Sequence, residues 1–440
     1  MFLQPVNDNY GYSLPADMQA YGPKKYILSN EIMDYTELFD LLKKKVNYHA
    51  DYIVVDDKVV LRNYSFISGN GSILPGENNY ECASHGFTAT DSGAFVSSLG
   101  NSASILDIHD SLIMENKQFR YHILSPADKT EIKEFILMIH GFNEKSWTKY
   151  LPWAYSLVVH TGKSVVLFPM AFHMNRAPSV WSEKHAMHGL SETRQTGFPD
   201  IVASTFSNVA ISTRLHQKPQ RFFWSGLQTY YDVIQFIDDI RAGSHPFITH
   251  EARFDLFAYS IGGLLAQILM MTDHRDYFSH SKLCLFCGGV VFNRYSPVSR
   301  FILDSEANVA LYSYIIEHLE NHLKRDEWLR HYLTEQHPEG ESFRAMLNYN
   351  LLRPERELLL RKISDRVFAL ALEHDAVAPP YEVINTLKGI HRDIPIDVEM
   401  MDFGYPYSHE NPFPSVKENP EDVSREFNRV FERIARFLEN

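Results

Sequence analysis

The sequence predicts an α/β protein: a mostly parallel sheet with helices on both faces. Three observations carry this reading. From about residue 106, compact apolar runs alternate with amphipathic segments, the pattern of repeated strand–helix units. Residues 254–270, FDLFAYSIGGLLAQILM, pass from an apolar strand pattern straight into an apolar helix through Ser-Ile-Gly-Gly. The chain then closes on Val423, Phe427, Val430, Phe431, Ile434, Phe437 and Leu438, which share one helical face and predict a C-terminal docking helix.

Residues 1–105 differ from the rest and are expected to form an N-terminal extension. Within it, Ile32, Tyr35, Leu38, Phe39, Leu42 and Val46 recur at helical spacing. Residues 52–61 hold two β-branched runs around Asp56-Asp57-Lys58, the signature of a hairpin. Residues 65–104 are rich in Gly, Ser and Asn and predict loops without identifiable chemistry. Next, Phe119, Tyr121 and Ile123 alternate with polar residues and follow the 111–114 run, which predicts an antiparallel pair. Core strands are expected at 135–140, 164–169, 254–259, 283–291, 367–372 and 396–403, with a helix through Leu227, Tyr230, Ile234 and Ile237. Residues 294–364 are helical in pattern and charged, too long for a simple crossover, and are expected to form a helical lid insertion. The core is thus expected to comprise 106–293 and 365–440.

Composition narrows the function. Apolar residues make up 45% and charged residues 22% of 440, as in an ordinary globular protein. The formal net charge of −13 lacks the basic excess of a phosphate-backbone binder, so no nucleic-acid partner is expected. The first fifteen residues show neither the basic nor the apolar region of a secretory signal. The longest strongly apolar run, from Leu283 to Phe292, is about half of what a membrane span needs. Three cysteines provide no disulfide framework, and a cytoplasmic location is expected. Cys284 and Cys287 form a CxxC, but inside a run that reads as a buried strand, where side chains three apart point to opposite faces.

The chemistry concentrates at Ala258-Tyr259-Ser260-Ile261-Gly262. Small residues flank the serine in the manner of a G-x-S-x-G elbow, with alanine at the first position. Such a turn exposes the Ser260 hydroxyl and puts the Ile261 amide at a helix N-terminus, where the dipole favours negative charge. With this run in place, residues 110–440 resemble the α/β-hydrolase superfamily, its lipase- and esterase-like serine hydrolases.

The resemblance implies three further features in a set order. The first is the turn His140-Gly141-Phe142, whose Phe142 amide would be a second oxyanion donor and whose histidine would be structural. The second is Asp375 in the run Asp375-Ala376-Val377-Ala378-Pro379, just after a strand. The third is His409, after the last core strand. In that scheme His409 deprotonates Ser260, and Asp375 holds the imidazole in the productive tautomer. Glu373 as the acid, and His374 or His391 as the base, are the weighed alternatives. A serine at the elbow argues against the aspartate-nucleophile dehalogenases of the same fold.

The expected partner is a small-molecule acyl substrate, and no cofactor is expected. Asn143, Trp147, His173, Arg176, Trp181 and Tyr259 are expected to line its pocket. His173, His185 and His188 are spaced by twelve and three, which matches no metal signature, so no metal site is expected. A non-catalytic scaffold retaining the fold, or an acyltransferase using the same three side chains, are the rival functions.

Overall fold

Among the described residues, nine strands form one sheet in the order β1-β2-β5-β7-β6-β8-β9-β10-β11 in a computed structural model of the chain. The structure describes residues 34–76, 79–90, 106, 108–334, 336–415 and 420–439. Ile32, the N-terminal stretch read for a signal and the segment 91–105 lie outside them. The strands are β1 Tyr52–Val54, β2 Val59–Ile67, β3 Asn79–Cys82, β4 Phe87–Thr90, β5 Gln118–Pro126, β6 Ile132–Ile139, β7 Ser164–Leu167, β8 Ile248–Tyr259, β9 Leu283–Phe286, β10 Val367–Leu372 and β11 Asp397–Met401. β3 and β4 form a separate antiparallel pair.

From β7 to β11 every pairing in the sheet is parallel, whereas β1, β2 and β5 pair antiparallel. The central strands are short and buried along their length: β7, β9 and β10 have no exposed residue. That is why they read as continuous apolar runs. Two apolar layers cover the sheet. One side carries the helices Arg221–Arg241 and Gly262–Thr272 and much of the 294–364 insertion. The other carries the helices Tyr35–Lys45, Leu151–Thr161 and Pro420–Glu439. The C-terminal helix buries Val423, Phe427, Val430, Phe431, Ile434 and Leu438, the stripe that predicted it.

Two expectations are corrected. Residues 111–114 are not the partner strand of β5; they fall in a 3₁₀ turn, Asp110–Leu112, and a short helix, Met114–Lys117. Buried Asp110 is tied to Arg214 and to Arg221, which holds the turn against a helix instead of a strand. β5 pairs with β2 on one side and β7 on the other. Within the N-terminal extension, β1 and β2 extend the main sheet at its edge. The Gly/Ser/Asn-rich stretch also holds the β3–β4 pair.

The insertion between β9 and β10 is helical. It includes the helices Ser305–Ser313, Glu327–Leu333, Pro338–Leu347 and Arg353–Lys362. Among the described residues, no helix is long and apolar enough to cross a membrane.

Candidate active site

β8 ends at Tyr259 and the next helix begins at Gly262, which leaves Ser260 at the apex of a turn of two residues. Ser260 is held at φ +56°, a left-handed conformation that costs a non-glycine residue of order 1–3 kcal/mol. The turn fits because glycine stands where backbone approaches it most closely, at Gly262 after the serine and at Gly288 in the loop after β9. A Cβ on Gly262 would lie 2.6 Å from the His140 carbonyl oxygen, and one on Gly288 would lie 2.6 Å from that of Ser260. The Ser260 carbonyl accepts from the Gly263 amide at 2.9 Å and the Tyr295 hydroxyl at 3.0 Å.

Two more strand ends deliver the partners. The loop after β10 presents Asp375, and the loop after β11 presents His409. His409 Nε2 lies 2.7 Å from Ser260 Oγ, and its Nδ1 lies 2.8 Å from Asp375 Oδ2. The other Asp375 oxygen accepts the Val377 and Ala378 amides, both at 2.9 Å, so the carboxylate is fixed from both sides. All three side chains are buried. The fold thus brings Ser260, Asp375 and His409 into one hydrogen-bonded chain, at strand ends where open α/β sheets bind ligands. Glu373 and His374 follow the same strand but stand outside this chain. His374 faces Asp402 at 3.8 Å on the surface.

The loop after β6 supplies the other wall. The His140 ring donates from Nδ1 to the Gly141 carbonyl at 2.7 Å and accepts the Met170 amide at Nε2, 2.9 Å away. Both nitrogens are therefore occupied, and burial holds the ring well below the ordinary histidine pKa. The Gly141 amide donates to the Tyr150 hydroxyl at 2.9 Å, which donates to Glu144 at 2.8 Å. Lys149 pairs with Glu144 and also donates to the Glu410 carbonyl at 3.1 Å, linking this loop to the residue after His409. Among the described residues, neither the Phe142 nor the Ile261 amide has a protein acceptor.

Beside Ser260 lies a narrow cavity walled by Phe142, Phe222, Ile261, Tyr295, Leu303 and Val377 among others. Phe292 and, from the helical insertion, Ile302 and Leu311 also border it. Its walls are almost wholly apolar. Phe222, Tyr295 and Leu303 carry no signal of this in the sequence, because an apolar residue facing a cavity has the same pattern as one facing the core.

The six residues expected to line a pocket divide. His173 borders two clefts adjoining Phe142 and Phe222. Its Nδ1 donates to the Ala171 carbonyl at 2.8 Å, while Nε2 is buried without a partner among the described residues. Burial lowers its pKa to about 4. Trp181 borders one of the same clefts and lies under the Arg214 guanidinium, 4.5 Å from it.

The other four face elsewhere. Arg176 is fully buried, ion-paired to Asp232 at 2.6 Å and bonded to Asn116 and the Pro169 carbonyl, so its cation is committed to the fold. Asn143 spends its amide on the Ser207 and Phe301 carbonyls, clamping the insertion to the core. Trp147 packs edge-on against His140 and Tyr150. Tyr259 lies behind the histidine, stacked on its ring and donating to its carbonyl. Cys284 and Cys287 are buried free thiols, and burial raises both pKa values.

Strand order, elbow and the placement of three polar side chains at successive strand ends define a protein of α/β-hydrolase fold. The family model described as "Family of unknown function (DUF6051)" matches residues 33–439, and the chain belongs to that family. No curated protein matches the sequence. Among solved structures, the chain is similar to a carboxyl esterase of the fungus Tuber melanosporum, with a TM-score of 0.40 and 11% identity over 73% of this chain and 82% of that one. It is also similar to esterase Est22, at a TM-score of 0.39 and 11% identity, covering 92% and 87% of the two chains. A Pyrobaculum calidifontis esterase gives a TM-score of 0.37 and 13% identity over 72% and 81%.

Proposed function

We propose that the protein is a serine hydrolase that cleaves a carboxylic ester, or a related thioester or amide, through an acyl-enzyme on Ser260. One observation carries the reading: His409 bridges a serine hydroxyl and a buried carboxylate at 2.7 and 2.8 Å, though Ser260 is 149 positions away and Asp375 34. A histidine placed only for packing has no need of both contacts.

In this reading His409 Nε2 takes the Ser260 proton as Oγ attacks the acyl carbon. Asp375 accepts a hydrogen bond from the Nδ1–H, which leaves the Nε2 lone pair aimed at serine and stabilises the imidazolium once formed. The free amides of Ile261 and Phe142 hold the developing oxyanion; loss of one such donor typically costs about 3–4 kcal/mol of barrier. His409 then protonates the leaving alcohol, and water repeats the cycle to release the acid. The apolar cavity receives the acyl chain, and the insertion 294–364 acts as its lid. His173 Nε2 offers an acceptor for a hydroxyl or amide proton on the substrate.

The test is turnover of 4-nitrophenyl esters of graded acyl length. The reading expects turnover by the native protein and its loss in Ser260→Ala, with the fold retained by circular dichroism. Equal turnover by both proteins would overturn it.

A further inference from the structure

Far from Ser260 in sequence, four potential metal ligands converge: Cys82, His85, His331 and His337, whose donor atoms all lie within 4.8 Å of one another. We propose that they form a closed structural zinc site that pins the β3–β4 pair to the helical insertion. This proposal does not depend on the reading of Ser260.

The spacing fits a tetrahedral ion. With metal–nitrogen and metal–sulfur bonds of ~2.05 and ~2.3 Å, the edges of the tetrahedron are ~3.4 Å between nitrogens and ~3.5 Å between nitrogen and sulfur. Cys82 Sγ lies 3.5 Å from His85 Nδ1 and 3.6 Å from His337 Nε2, and the Nε2 atoms of His331 and His337 lie 3.1 Å apart. The three imidazole planes stand nearly perpendicular to one another, at 78°, 87° and 80°. One thiolate and three imidazoles suit zinc, a borderline-soft cation, and not calcium or magnesium, which take oxygen ligands.

The surroundings prepare the donors. Glu339 Oε1 lies 2.7 Å from His337 Nδ1 and also accepts from the Tyr231 hydroxyl. A carboxylate there keeps the proton on Nδ1 and turns the Nε2 lone pair inward, the arrangement that metal-bound histidines use to fix their tautomer. Phe87 stacks on His331 with centroids 4.2 Å apart, and Tyr332 stacks on His337 at 4.3 Å. Gly340 allows the turn between the two histidines to close: a Cβ there would lie 1.5 Å from the Tyr332 carbonyl oxygen. Cys82, His331 and His337 are buried, and His85 closes the cluster from the exposed side.

Four protein ligands leave no open coordination position, so the ion would support structure. It would join chain segments 255 positions apart. The helix Pro338–Leu347, which starts at this site, packs on the helix following Ser260, where Ser342 and Thr272 lie 3.3 Å apart. The site would thereby hold the insertion onto the core.

The experiment uses the full-length chain, free of any polyhistidine tag and kept reduced. Zinc(II) is titrated against a chromophoric chelator, metal content is measured by mass spectrometry, and cobalt(II) is loaded as a spectroscopic surrogate. We expect one zinc per chain, a thiolate-to-cobalt charge-transfer band, and a lower Tm after chelation. Cys82→Ser should abolish that band. Cys82→Ser/His331→Ala should weaken zinc binding at least a hundredfold and make Tm insensitive to chelator. Should the double variant fail to fold, Glu339→Gln serves in its place, with affinity expected to fall about ten- to a hundredfold. A folded native protein that binds no zinc, or full stoichiometry and unchanged affinity in the variants, would overturn the proposal.

Discussion

The Tyr259 hydroxyl donates to the backbone carbonyl of His409, and the two rings stack with centroids 5.4 Å apart. The residue before Ser260 therefore grips the loop that carries its histidine partner. The Lys149 ammonium lies 4.7 Å from the centre of the same Tyr259 ring, which brings the loop after β6 into the assembly. Tyr259→Phe keeps the stack and deletes the grip. A neutral hydrogen bond of this kind is worth about 1 kcal/mol of stability. We expect kcat to fall about tenfold with KM nearly unchanged, because alignment is impaired while the acyl cavity is intact. A fall in KM-dependent binding alone, at constant kcat, would show that the grip does not position His409.

Gly262 and Gly288 predict a steric result. Each is so close to a backbone carbonyl that even a methyl group forces the strand ends apart. Gly262→Ala or Gly288→Ala should destabilise the fold by about 1–3 kcal/mol, the usual cost of overpacking, and lower the proposed esterase activity further than stability alone accounts for. Gly189, inside the helix Lys184–Gly197 with nothing near its missing Cβ, is the control. Gly189→Ala should gain up to about 1 kcal/mol from helix propensity. Denaturant unfolding of the three variants checks this.

Acid should weaken the fold through His173. Burial lowers its pKa from 6.5 to about 4, so between these values the unfolded chain binds the proton that the native site refuses. Stability from this group is complete above pH 6.5 and declines as pH falls toward 4. By linkage the loss amounts to about 3 kcal/mol at most. His173→Gln should flatten the stability profile across that window relative to the native protein. Parallel profiles would contradict the account.

The cavity predicts chain-length selection. Leu303 borders it and belongs to the insertion. Leu303→Trp should shift the preferred 4-nitrophenyl ester toward shorter acyl chains, with little change in acetyl ester turnover. An unaltered chain-length profile would mean the acyl group lies elsewhere.

Ser260 and Asp375 were the easiest to read, because each comes just past the buried apolar end of a strand. His409 follows β11 by eight residues, and only Met401 of that strand is buried, so its place rested on chain order. What was illegible shares a physical cause. Arg176 and His173 have the same polar signature in a loop, yet only coordinates reveal that Asp232, in a helix far along the chain, neutralises the arginine. Asp110 pulled residues 111–114 out of strand geometry through Arg214 and Arg221, a long-range effect that local alternation cannot register. The Cys82-x-x-His85 pair and the His331–His337 pair looked unremarkable singly, because nothing local joins segments so distant.

The most direct test is reaction with a fluorophosphonate, followed by peptide mapping. A hydroxyl activated by His409 and Asp375 should be modified at Ser260, in the folded protein only, and His409→Ala should slow labelling by orders of magnitude. Modification at some other serine, or labelling that persists at the native rate in His409→Ala, would contradict the account.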